Sequence, residues 1–76
     1  MNLQTHKAIP TFPLGYHYQT EREAILRATD YSLTYSDQFI YVIHSTTSGR
    51  YRLDYIGLKF SDEQILLTIK NGEKTL

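Results

Sequence analysis

The stretch from Thr20 to Tyr35, TEREAILRATDYSLTY, constrains this chain more than any other. Thr20 and Glu23 have the spacing of a capping box. In that motif the threonine hydroxyl accepts the Glu23 backbone N–H and the glutamate side chain reaches back to the amide of Thr20. A helix is predicted to start here. Ala24, Ala28, Tyr31 and Tyr35 recur at the helical period with Ile25 beside them, making one apolar stripe, and Arg22, Arg27, Asp30 and Thr34 fall largely away from it. Ser36, Asp37 and Gln38 supply loop chemistry, so the helix is expected to end near Ser36.

Such a stripe has to be buried against something, and the segments that follow read as sheet. Phe39 to His44, FIYVIH, is β-branched and aromatic, and Arg50 to Ile56, RYRLDYI, alternates apolar with charged residues. Between them lies STTSG, with Gly49 suited to a positive φ. With Ser45 opposite Arg50, Val42 faces Leu53, Ile40 faces Tyr55, Ile43 faces Arg52 and Tyr41 faces Asp54. One side of this hairpin is apolar and the other mixed.

Residues 61 to 72, SDEQILLTIKNG, carry two sets of signals. Ser61 and Gln64 form a second capping box, with acidic residues in the first turn and Asn71-Gly72 as a stop, which is the signature of a short helix. As a strand, the same residues would pair Phe60 with Ile65, Leu58 with Leu67 and Ile56 with Ile69, all apolar, and Asn71-Gly72 would be a type I′ turn into EKTL. The concerted pairing favours strand. It also requires the inward face to switch from odd to even positions near residue 56, so a bulge or sharp bend is expected at Gly57.

At the other end, Pro10 and Pro13 rule out a helix or a central strand, and residues 1 to 13 read as an extended arm with Ile9 and Phe12 available for packing. Leu14 to Tyr18 is expected to be a short edge strand. The predicted architecture is α+β: one helix packed on a small bent antiparallel sheet in βαβββ order, with a final short strand, forming a single small domain over residues 14 to 76.

A chain of 76 residues has a small core that is usually reinforced by disulfides, a metal or oligomerisation, and this chain has no cysteine. Thiolate metal sites and thiol nucleophiles are excluded with it. Eight basic side chains balance eight acidic ones, so no global field draws in phosphate backbones. Neither a signal-peptide core nor a membrane span is present in the sequence, and a soluble cytoplasmic protein is expected. His6, His17 and His44 lack the helical spacing of a zinc hydrolase, and no Gly-x-Ser-x-Gly elbow or phosphate-binding loop occurs. Asp62 and Glu63 are adjacent, and neighbouring side chains in a strand or turn point apart. No enzyme, metal or cofactor is expected.

Interaction chemistry is better represented. Seven tyrosines provide large rings with polar tips at low rotamer cost. If the helix covers Ile40, Val42, Leu53 and Tyr55, the opposite face presents Phe39, Tyr41 and Ile43 beside Arg50, Arg52 and Asp54, the aromatic and arginine composition of an interface core. Phe39, Tyr41, Ile43, Arg50 and Arg52 are therefore the candidate partner-binding residues, unless the N-terminal arm folds across them. The expected function is a small non-enzymatic protein-interaction module, binding a protein partner or a second copy of itself. The alternative is a small nucleic-acid-binding domain using Arg50 and Arg52 of the hairpin. Asp54 follows them on the same side and weakens that alternative, because a phosphate track gains from each added cation and loses from a carboxylate.

Overall fold

The computed structural model describes residues 16–75, as one helix and a four-stranded antiparallel sheet, a small α+β fold. The arm expected over residues 1 to 13 lies outside the described residues. Helix α1 spans Glu21–Thr34, and the Thr20 hydroxyl accepts the Glu23 amide at 3.2 Å, as the capping box predicts. It ends at Tyr35, whose N–H donates to the Tyr31 carbonyl at 2.8 Å.

Strands β1 (Ile40–Ser45), β2 (Tyr51–Asp54), β3 (Glu63–Lys70) and β4 (Glu73–Thr75) assemble in the order β2-β1-β3-β4. The first hairpin has the predicted register, with Tyr41 opposite Asp54, Val42 opposite Leu53 and Ile43 opposite Arg52. Gly49 closes its turn at φ +76°. β2 stops before Tyr55 because the Asp54 carboxylate takes the amides of Tyr55 and Ile56, at 2.8 and 3.4 Å, and turns the chain out of the sheet. Residues 63 to 70 are strand rather than helix, and Asn71 and Gly72 both have positive φ in the two-residue turn to β4.

The partner of β3 differs from the predicted one. Ile65, Leu67 and Ile69 lie opposite Ile43, Val42 and Ile40 of β1, whereas residues 56 to 60 belong to no strand. β1 is thus an inner strand, paired on both edges, and its unbroken apolar run is explained by cover on both faces, the helix on one and residues 55 to 62 on the other. Gly57 does take a positive φ of +88°, but in the segment that leaves the sheet rather than in a bulge. The sheet's irregularity sits in β3, where Val42 faces Leu67 and Ile43 faces Ile65, leaving Leu66 as the extra residue. The predicted first strand reduces, among the described residues, to a single antiparallel bridge between Tyr18 and Tyr51.

The helix packs on one face of this sheet. Tyr18, Ala24, Ala28, Ile40, Val42, Leu53 and Ile69 form one buried cluster, with Ile25, Tyr31, Tyr35, Tyr51, Tyr55 and Leu67 against it. Two alanines at the centre of the stripe let the helix approach the sheet closely.

Candidate functional site

The second face of the sheet, opposite the helix, carries Tyr41 and Ile43 from β1, Arg52 and Asp54 from β2 and Ile65 from β3, as the registers require. Segment 55 to 62 folds back across this face. Gly57 lies flat against the Tyr41 ring: a Cβ at this position would come within 3.1 to 3.4 Å of three ring atoms. No other residue type brings its backbone so near an aromatic face at a positive φ without strain.

Arg52 latches the segment. Its Nε donates to Glu63 Oε2 at 2.8 Å and its Nη2 to Glu63 Oε1 at 2.8 Å, a two-pronged pairing of guanidinium with carboxylate. Nη2 also donates to the Leu58 carbonyl at 3.0 Å, and Nη1 lies 3.8 Å from Asp54 Oδ2. Glu63 Oε1 accepts the Phe60 amide at 2.8 Å. The two side chains are only 15% and 7% exposed, so the pair is shielded from solvent competition. Its hydrogen bonds to Arg52 pull the Glu63 carboxyl down to about 2, against a cost of burial.

This latch holds an apolar ridge outward. Ile56, Leu58 and Phe60 are 57%, 68% and 72% exposed, at alternate positions of a segment pinned by Arg52, Glu63 and the Asp54 turn. The Arg52 guanidinium carbon sits 5.9 Å from the centre of the Phe60 ring. Beside the ridge opens a hollow of about 660 Å³, bordered by His17, Thr47, Leu58, Lys59, Phe60 and Asp62. The β1-β2 turn is tied to its rim, since the backbone N–H and the hydroxyl of Thr46 both donate to the Asp62 carbonyl at 2.8 Å and Ser45 Oγ donates to Asp62 Oδ2 at 3.2 Å.

The residues singled out in the sequence are divided by this arrangement. Phe39 and Arg50 are exposed, Phe39 under the Lys70 ammonium at 4.8 Å from its ring centre. Ile43 is fully buried, Tyr41 lies beneath Gly57, and Arg52 directs its donors inward. Ile56, Leu58 and Phe60 were assigned to strand pairing by the sequence pattern. The signal that would have freed them is the unbroken apolar run of β1, which marks a strand covered on both faces and so requires some segment besides the helix to cross the second one, as residues 55 to 62 do.

Among the described residues no group of three or more histidine, aspartate or glutamate side chains could hold a metal ion, and no described helix is long and apolar enough to cross a membrane. No family model matches the chain, and no curated protein or solved structure matches it.

Proposed function

We propose that this chain is a small non-enzymatic protein-interaction module of the cytoplasm, and that it docks its partner on the ridge Ile56, Leu58 and Phe60. The observation that carries the reading is the exposure of these three large apolar side chains on a segment fastened by internal hydrogen bonds. Each would gain about 1.5 to 3 kcal/mol from full burial against a partner. Because the segment is held by the latch, little ordering entropy is lost on binding. Tyr41 and Arg52 then serve the interface from below, as its platform. The nucleic-acid alternative has less support, since Arg52 is committed to Glu63 and Leu58 and only Arg50 of the pair is exposed.

The test is a photo-crosslinking amino acid at position 58, with position 73 as a surface control. A discrete protein adduct from 58, absent from 73 and lost on Phe60→Ser, is the expected result. Absence of an adduct at 58 in the cells that make the protein, at native expression, would refute the reading.

A further inference from the structure

We infer that the partner of this ridge is a second copy of the same chain, bound across a two-fold axis that places Phe60 of each copy in the hollow of the other. The inference rests on the reading of the ridge as a docking surface and adds the identity of the occupant. A two-fold interface requires one patch that is complementary to itself, so that residue i meets j and j meets i. The ridge and the hollow satisfy this on a single chain: Leu58 and Phe60 project from the segment and also border the hollow of about 660 Å³ beside it.

Charge supports the same occupant. Lys59 lies between the two apolar residues and Asp62 lies just beyond them, and both border the hollow. A two-fold axis that bisects the line from Lys59 to Asp62 sets Lys59 of one copy towards Asp62 of the other, and the reciprocal pair follows by symmetry. Opposite charges flanking an apolar centre are the rim of an interface. Eight basic and eight acidic residues leave no net repulsion between copies. Self-association also supplies the reinforcement that a small core without cysteine lacks.

A charge-swap pair tests this with the full chain. Wild type, Lys59→Asp, Asp62→Lys and Phe60→Ser are measured by sedimentation equilibrium over a wide concentration range, with circular dichroism as the check on folding. The wild type is expected to dimerise, and each charge variant alone to dissociate about 10-fold more readily, because like charges then meet twice across the axis. Mixing the two charge variants should restore a dimer containing one chain of each, since both cross pairs are again opposite in sign. Phe60→Ser, which leaves the Glu63 contact to its backbone amide intact, should be monomeric and folded. If Asp62→Lys fails to fold through loss of the Ser45 contact, the cycle of Lys59→Ala, Asp62→Asn and the two together reads the same coupling, since the double variant should then dissociate no more readily than either single one.

A wild type that stays monomeric throughout overturns the second copy as occupant. Binding of an environment-sensitive apolar dye separates the two readings in that case: a monomer whose dye signal falls on Phe60→Ser retains the docking surface for another protein, and one with no such signal loses both. A dimer indifferent to Phe60→Ser and to the charge swap overturns the inference as well.

Discussion

The side-chain oxygen of Ser32 accepts the backbone N–H of Gly72 at 2.9 Å, joining the last turn of the helix to the β3-β4 turn across 40 positions of sequence. Ser32 is fully buried and donates its own proton to the Thr29 carbonyl at 2.7 Å, so the hydroxyl is used in both directions. Ser32→Ala leaves the Gly72 amide without this acceptor and is expected to lower stability by about 1 to 3 kcal/mol. Chemical denaturation measures it. Retention of the wild-type midpoint would mean that water replaces the hydroxyl.

Gly72 itself has φ +83°, and a Cβ there would lie 2.8 Å from Leu33 Cδ2. Leu33 is exposed and can swing away, whereas the backbone cannot change sign of φ without opening the turn. Gly72→Ala is therefore expected to cost about 1 kcal/mol or more, and adding Leu33→Ala should recover little of it. Full recovery in the double variant would show that the side-chain clash was the cause. Gly72→Asn, which tolerates this region better, should fall between glycine and alanine.

The Arg52–Glu63 latch predicts a specific acid response. Glu63 is held at about 2 in the folded chain and returns to the ordinary carboxylate range, near 4.5, on unfolding. A group whose folded value is depressed contributes its stability fully above the unfolded value and loses it as pH falls towards the folded one. The latch should thus weaken between about pH 4.5 and 2, by up to roughly 3 kcal/mol, and Glu63→Gln should flatten the stability profile in that window. Arg52→Lys preserves charge but not the two-pronged geometry, and is expected to be destabilising at neutral pH.

Gly57 predicts coupling between the ridge and the sheet. Gly57→Val combines a positive φ with contact on the Tyr41 ring, and should cost about 1 to 3 kcal/mol or release the segment from the face. Hydrogen exchange distinguishes these outcomes, since release would expose the Phe60 amide that Glu63 now accepts. Gly57→Val with unchanged melting temperature and exchange would contradict the packing described.

Local chemistry in the sequence was enough for every element whose ends are set by near neighbours. Thr20 with Glu23 starts the helix, Gly49 closes the first hairpin in the predicted register, and Asn71-Gly72 turns β3 into β4. These devices act through hydrogen bonds and dihedral preferences within a few residues, which sequence spacing displays directly. Which strand β3 would join was decided only in the tertiary structure. Residues 56 to 60 and 39 to 43 offer Ile65, Leu67 and Ile69 equally apolar neighbours, and closing the longer loop costs little more than closing the shorter one. Asp54 tipped the choice by capping the end of β2, and β1, apolar on both faces, needed cover on the face away from the helix, which residues 55 to 62 give by leaving the sheet. That choice left Ile56, Leu58 and Phe60 outside the sheet, and Arg52 with Glu63 then fixed them facing solvent. Alternation along a strand specifies which side chains share a face; it carries no record of the strand across from it.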